Sequence, residues 1–204
     1  MANFNSYLPL LQQVEGGFQN NPKDRGNYNS RDQLIGTQFG ISTGFYEGII
    51  GRPPTVEDIR AISKQRAAEL YRDYFWNAQR ASEINSQAMA NTIIDHQVNA
   101  GNGVLVAQRL LKSRFGFFKI GIDNQIGNET LSALNSVDVG KFVTLFNEQR
   151  AAHYNTRSNS SEFAAGWLRR LTNFAVEYQK PISLFTIGAV ATVGFLFYKF
   201  YLKN

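Results

Sequence analysis

Apolar residues recur at spacings of three and four along most of this 204-residue chain, which is the period of an amphipathic helix. The stretch 16–56 departs from that pattern: it is rich in Gly, Asn and Pro and predicts turns with a small hairpin. The alternation typical of half-buried strands is scarce, so the sequence predicts a mainly α fold. Helices are predicted at the N-terminus up to Val14, from Thr55, and over 86–98, 104–115, 128–135 and 138–154.

Thr55 carries a helix start signal. Asp58 lies three residues on, so the two side chains approach the pattern of a capping box. Apolar residues then follow at helical spacings up to Phe75, and the pattern predicts one helix across this segment. Those residues are Ile59, Ile62, Ala67, Leu70, Tyr74 and Phe75.

The C-terminal segment has a different character. Residues 182–198 form a run of 17 without a charged side chain, and extension to residue 202 gives 21 residues. At about 1.5 Å per residue such a helix crosses a hydrocarbon core about 30 Å thick. Lys180 and Lys203 bracket the run, so the distribution of basic residues does not orient it. We predict a single transmembrane anchor over 182–202; the alternative is a buried core helix.

Composition excludes several kinds of chemistry. The chain contains no Cys and only two His, which excludes disulfides, a thiolate nucleophile and a Cys-ligated or multi-His metal centre. We therefore expect no metal and no cofactor, and an enzyme of this composition has to use carboxylates, hydroxyls, amides or a single imidazole. The net charge is +5, without a dense Lys/Arg block, so nucleic acid is not an expected partner.

Two carboxyl groups have the positions expected of an acid and base pair. Glu15 ends the first helical pattern, just before Gly16-Gly17, among apolar residues that favour a protonated carboxyl. Asp24 lies in a polar turn between basic neighbours that favour its ionised form. Such a pair suits glycoside hydrolysis, and Thr37 has the chemistry either to hold a water or to order the site. Taken alone, these residues fit more simply a surface Glu before a helix end and an Asp in a turn.

A resemblance to a known family favours the first interpretation. The order Glu15-Gly-Gly-Phe, then Asn21-Pro-x-Asp-x-Gly, then Gly36-Thr-x-x-Gly-Ile resembles the family 108 glycoside hydrolases, the bacterial and phage N-acetylmuramidases. The resemblance implies a lysozyme-like helical fold with Glu15 as the catalytic acid. Asp24 and Thr37 match the second and third functional positions of that family.

The second half resembles the helical peptidoglycan-binding module that follows the catalytic motif in the same family. The resemblance implies a catalytic region over 1–85 and a binding module packed on it over 86–178. The predicted anchor follows them over 179–204. The matching segments are Asp95-His-Gln-Val-Asn-Ala-Gly, Ala107-Gln-Arg-Leu, Gly121-Ile-Asp and Ile126-Gly-Asn-Glu-Thr-Leu.

The sequence departs from the family between Asp24 and Thr37, where the chain from Gly26 to Ile35 makes a longer loop. This loop contains Asp32, a rival for the role of base. If the two catalytic carboxyls leave room for a water, they should lie about 6.5–9.5 Å apart and the product should be inverted.

Several polar and aromatic residues are weaker candidates for substrate contacts. Gln97 and Asn99 fit contacts to sugar amides and fit hydrogen bonds at a helix end equally well. Asp95-His96 suggests a polarised imidazole, although a structural histidine is the commoner case. Four aromatic side chains have the chemistry to stack on sugars, although such side chains usually lie in the core. They are Tyr28, Trp76, Phe117 and Phe118.

Together these features predict a membrane-anchored muramidase that cleaves the β-1,4 bond between N-acetylmuramic acid and N-acetylglucosamine. We expect a single-pass protein of the bacterial inner membrane whose catalytic domain acts in the periplasm on peptidoglycan glycan strands. Components of a phage lysis system or of an injection machine are its expected partners. The alternative is a catalytically inactive, membrane-anchored peptidoglycan-binding scaffold of a phage or secretion machine, which the altered loop motivates.

Overall fold

The computed structural model describes residues 1–14 and 16–155, and helices account for most of them. One small antiparallel hairpin stands between the first two α-helices, as the sequence predicts. The helices are α1 Phe4–Val14, α2 Thr43–Ile50, α3 Val56–Arg60, α4 Lys64–Tyr71, α5 Gln87–Ala100, α6 Gly103–Phe115, α7 Asn128–Ser136 and α8 Val139–Asn155. The strands are β1 Thr37–Gln38 and β2 Ile41–Ser42; 3-10 turns cover Arg25–Asn27 and Ala81–Glu83, and a π-helical turn covers Arg72–Asn77.

Capping side chains begin α3 and α8 where the sequence predicts a helix start. The Thr55 side chain accepts from the backbone N–H of Asp58, and the Asp58 carboxylate accepts from Thr55 N–H at 2.8 Å, which completes a capping box. Arg52 donates to the same carboxylate and, together with Thr55, holds the pKa of Asp58 well below its usual range. At α8, Asp138 accepts from the backbone N–H of Lys141 at 2.7 Å.

The single helix predicted from Thr55 to Phe75 is wrong. Helix α3 ends at Arg60, and α4 begins at Lys64. The physical reason is Ser63, whose hydroxyl accepts from the backbone N–H of Arg66 at 3.0 Å and so caps a new helix. The break separates α3, beside the hairpin, from α4, which faces α1 across a groove.

Helix α5 lies at the centre of the hydrophobic core. It packs against α1, α6 and α8, and its residues from Ala88 to Gln97 are buried. Its crossing with α6 is close enough to require Gly103, because a Cβ there would lie 2.2 Å from the carbonyl oxygen of Ile93. Trp76, a sequence candidate for sugar stacking, is instead a core residue: its ring stacks on Tyr7 with centroids 5.5 Å apart.

A buried ion pair joins α5 to α8. Asp95 and Arg150 are both fully buried, and a guanidinium nitrogen of Arg150 donates to the Asp95 carboxylate. The neighbouring His96 is also fully buried, with its ring 5.9 Å from that of Phe146 and 5.4 Å from that of His153. These contacts place His96 in the core.

The N-terminus is tied to the residues around the start of α5. The backbone N–H of Ala2 donates to the carbonyl of Ile84 at 2.7 Å, and Asn3 exchanges hydrogen bonds with the Gln87 side chain. One hydrophobic cluster includes buried residues on both sides of position 85, from Ala2 to Phe146.

The loop between α6 and α7 is organised by one buried amide, that of Gln108. Its oxygen accepts from the backbone N–H groups of Asp123 and Asn124, and its nitrogen donates to the Asp123 carboxylate at 2.8 Å. The donation from Gln108 and a backbone N–H from Gln125 lower the pKa of Asp123. Gln108 and Asp123 belong to the motif segments of the second half, and here they fix the loop.

The predicted anchor over 182–202 lies outside the residues that the structure describes. Among residues 1–14 and 16–155, no helix is both long and apolar enough to cross a membrane. Within the same ranges, no cluster of three or more His, Cys, Asp or Glu side chains is arranged to hold a metal ion.

Candidate active site

The hairpin forms one wall of the candidate site. Thr37 pairs with Ser42 and Gln38 with Ile41, and the two-residue connection is Phe39-Gly40. Both connecting residues have positive φ, 48° and 74°, as a type I′ turn requires. On the other side of β1, the backbone groups of Gln19 and Thr37 exchange hydrogen bonds of 2.9 and 2.8 Å. The chain just after Glu15-Gly-Gly therefore lies alongside β1.

Gly36 permits this close approach. Its φ is +120°, and a Cβ there would lie 2.7 Å from the Phe18 ring and 2.8 Å from the Gln19 carbonyl oxygen. Only glycine satisfies both conditions. The Gly36-Thr37 pair of the sequence motif thus has a physical cause. Gly36 lets the segment after Glu15 pack against β1, and Thr37 is the residue that pairs with Gln19.

Asp24 and Thr37 belong to one hydrogen-bonded network. The Thr37 hydroxyl donates to Asn27 Oδ1 at 2.6 Å, and Gln19 Nε2 donates to the same oxygen at 3.0 Å. Gln19 Nε2 also contacts Asp24 Oδ2 at 3.2 Å, while Asp24 Oδ1 accepts from the backbone N–H of Gly26 at 2.9 Å. Gln19 and Asn27 therefore connect two of the three residues that the sequence identifies.

Sequence reasoning missed both connecting residues. Asn27 is fully buried, and its amide nitrogen donates to Gln19 Oε1 at 2.9 Å and to the carbonyl of Asn21. A buried amide in a stretch rich in Gly and Asn has no periodicity that marks it. The nearest signal is its position directly after the Asn-Pro-x-Asp-x-Gly motif.

The rival base Asp32 lies outside this network. It has a φ of 56°, its side chain is 80% exposed, and it pairs with the exposed Arg25 at 3.0 Å. The loop that carries it is held by Asn29, whose Oδ1 accepts from the backbone N–H groups of Arg31 and Gln33. Tyr28 and Leu34 form a bridge at the base of the loop. The longer loop is thus ordered by its own hydrogen bonds, and it does not separate Asp24 from the network that contains Thr37.

Glu15 itself lies outside the described residues, between Val14 at the end of α1 and Gly16. The two residues that follow it, Gly16 and Gly17, line a groove between α1 and α4. The volume of this groove is about 290 Å³. The groove continues along the same helices into a second section of about 330 Å³ that reaches Arg72. The first section is lined by Leu8, Leu11, Gln12, Gly16, Gly17, Phe39, Lys64, Ala67, Ala68 and Tyr71.

Gln97 and Asn99 are engaged at the end of α5 and do not line this groove. The Gln97 amide donates to the carbonyl of Gly101 at 3.0 Å and accepts from the backbone N–H of Val104 at 3.1 Å. Asn99 donates to the backbone carbonyl and the carboxylate of Asp95. The structure thus gives both side chains the helix-end hydrogen bonds that were the alternative to sugar contacts.

Comparison with known proteins places this geometry in context. Residues 8–101 match the family glycosyl hydrolase 108, and this stretch contains Glu15, Asp24 and Thr37. The match supports a glycoside hydrolase that acts on peptidoglycan.

The structure of SagA from Brucella abortus is similar with a TM-score of 0.72 and 22% identity, over 85% of this chain and 92% of that one. This similarity establishes a shared fold, consistent with the predicted lysozyme-like architecture. No curated protein matches the chain.

Proposed function

We propose that this protein is an N-acetylmuramidase that hydrolyses the β-1,4 bond between N-acetylmuramic acid and N-acetylglucosamine in peptidoglycan. One observation carries the proposal. Asp24 and Thr37 meet in a single network whose first member, Gln19, follows Glu15 by four residues, inside the stretch that matches the glycosyl hydrolase family. The proposed reaction uses carboxylate acid and base catalysis and requires neither a metal ion nor an organic cofactor.

In this mechanism Glu15 donates a proton to the leaving glycosidic oxygen as the bond breaks. Asp24 positions the attacking water or stabilises the positive charge that develops on the sugar ring. The Gln19 amide and the Gly26 N–H each hold one oxygen of the Asp24 carboxylate. Thr37 donates to Asn27 and so fixes the hairpin relative to the turn that carries Asp24.

The proposal extends to the place of action. We assign residues 182–202 to a single-pass anchor in the bacterial inner membrane, since residues 182–198 carry no charge, Lys199 lies near one end, and Lys180 and Lys203 bracket the segment. The catalytic region then acts in the periplasm on glycan strands, assisted by the helical module over 86–178. Such an anchored hydrolase suits a phage lysis system or an injection machine that has to open the wall locally.

Product analysis tests the proposed activity directly. The full chain in detergent is incubated with purified sacculi, and the new reducing ends are reduced with borohydride and identified by mass spectrometry. We expect reduced muramic acid ends. Reduced glucosamine ends would instead identify a glucosaminidase, and sacculus binding without new ends would favour the inactive scaffold.

Substitution of the two aspartates tests the assignment of the base. Asp24→Asn is expected to lower kcat for sugar release on the order of 10²-fold, because the amide lacks the negative charge that Asp24 supplies. Asn caps a turn as well as Asp does, so thermal unfolding should stay unchanged. Asp32→Asn is the matched control, and we expect it to leave kcat unchanged because Asp32 lies outside the network. The reverse order of effects would make Asp32 the base.

A further inference from the structure

Phe39 has an unusual backbone conformation at the hairpin turn. Its φ is +48°, in the left-handed region that bulky side chains rarely adopt and that the first turn position normally fills with Asn, Asp or Gly. The buried Tyr71 holds it there, because the Tyr71 hydroxyl donates to the Phe39 carbonyl at 3.2 Å. A strained conformation maintained by its surroundings is a reason to ask what the side chain does.

The Phe39 ring is half-buried and lines the first section of the groove, next to Gly16 and Gly17. The strained turn thus places an aromatic face in the part of the groove nearest to the chain position of Glu15. Aromatic faces carry partial negative charge and attract the polarised C–H groups on the apolar face of a pyranose ring. The volume of about 290 Å³ is at the lower end of small-ligand sites, enough for one sugar unit rather than a long polymer.

Lys64 supplies the charge of the same section. It is the first residue of α4, is exposed, and holds its ammonium 5.8 Å from the centroid of the Phe39 ring. Of the described residues that line this section, Lys64 alone carries a charged side chain. A flexible ammonium that can swing from the aromatic ring to a bound anion suits a ligand that combines a sugar ring with a carboxylate.

We propose that Phe39 and Lys64 form a subsite for an acidic amino sugar, with the pyranose ring against Phe39 and its carboxylate on Lys64. This inference rests on the proposed function. In peptidoglycan only the muramyl unit bears an acidic substituent at its lactyl ether, whereas glucosamine is neutral. The carboxylate comes from the free lactyl group in strands without peptides and from the stem peptide in intact peptidoglycan. The subsite therefore selects the muramyl unit and fixes the register of the strand beside Glu15.

The test compares acidic and neutralised forms of the same two substrates. Intact peptidoglycan and amidase-treated strands are each used as they are and after conversion of their carboxylates to amides. We expect Lys64→Gln to raise KM about tenfold on the acidic form with kcat unchanged, the pattern of lost uniform binding. It should leave KM on the amidated form unchanged. The acidic substrate on which the effect appears identifies the source of the carboxylate.

Arg66→Gln is the matched control, because Arg66 is an exposed cation on the same helix that lines neither section of the groove. Phe39→Asn should lower kcat/KM about tenfold on acidic and amidated forms alike. Asn tolerates the left-handed conformation, so the variant should fold, with Tm lowered only by the lost packing of the half-buried ring. Phe39→Tyr should retain kcat/KM. Equal effects of Lys64→Gln on both forms, or unchanged kcat/KM in Phe39→Asn, would overturn the subsite.

Calorimetric binding of soluble muramyl fragments separates this inference from the proposed function. It is measured in the Glu15→Gln background, where the ligand is not consumed. The subsite is supported if acidic fragments bind more tightly than amidated ones and Lys64→Gln abolishes this difference. That result would stand even if the wild type released no sugar, and only the proposed activity would then fail. Equal binding of both forms by the chain with Lys64 would refute the subsite even in an active enzyme.

Discussion

Glu15→Gln is expected to reduce sugar release from peptidoglycan by a factor on the order of 10²–10⁴, the usual contribution of a general acid. The amide has nearly the shape of the carboxylic acid but cannot donate the proton that the leaving oxygen needs. Because that interaction exists only as the bond breaks, kcat and kcat/KM should fall together while KM stays unchanged. Initial rates of reducing-end formation over a range of sacculus concentrations measure all three.

The matched control is Glu57→Gln, which makes the same chemical change at an exposed position in the first turn of α3. We expect it to leave the rate unchanged. Both variants should bind sacculi and unfold like the wild type. Turnover by Glu15→Gln within a few-fold of the wild type would remove Glu15 from the mechanism and leave the acid to be sought elsewhere around the groove.

Arg150→Met is expected to lower the free energy of unfolding by about 3–5 kcal/mol, the typical cost of breaking a buried ion pair by removing one partner. Both Arg150 and Asp95 are fully buried at the contact between α5 and α8. The substitution keeps much of the aliphatic volume but leaves the Asp95 carboxylate without its cation in the core. Urea denaturation followed by tryptophan fluorescence measures the change through the midpoint at constant slope.

Two further variants test this explanation. Arg114→Met, at an exposed position on α6, should change the free energy of unfolding by less than about 0.5 kcal/mol. The double variant Asp95→Asn with Arg150→Met should recover part of the loss, because it no longer buries a charge. Asp95→Asn alone completes the set. If the double variant loses as much free energy of unfolding as Arg150→Met and Asp95→Asn lose together, the pair is not coupled.

Local signals made much of the fold predictable. The cap at Thr55 with Asp58 and the start of α8 after Asp138 depend on residues three apart, which a sequence displays directly. The break before α4 was not predicted, because apolar residues continue at helical spacing across it. The Ser63 hydroxyl causes this break, because it accepts from the Arg66 backbone N–H that a continuous helix would use for its own hydrogen bond.

The candidate site was predictable only in part, for a related reason. Asp24 and Thr37 stand in a recognisable motif, whereas the roles of Gln19 and Asn27 depend on a turn that brings their amides together. Phe39 and Lys64 meet across 25 positions of sequence, so no spacing indicates their contact. Asp24 and Asp32 are equivalent as residue types, and only their hydrogen-bond partners distinguish them.

The attachment of the N-terminus to α5 has a mechanical consequence. Helix α1 has 11 residues, so it is a rod about 16 Å long that ends at the residue before Glu15. The far end of that rod is held by the bonds from Ala2 to Ile84 and from Asn3 to Gln87. The N-terminal end of α1 is therefore fixed to the start of α5 and to Ile84, the residue just after the 3-10 turn Ala81–Glu83. A fragment that ends near residue 85 would keep the motif and the bond from Ala2 to Ile84, but it would lose Gln87 and the packing of α1 on α5.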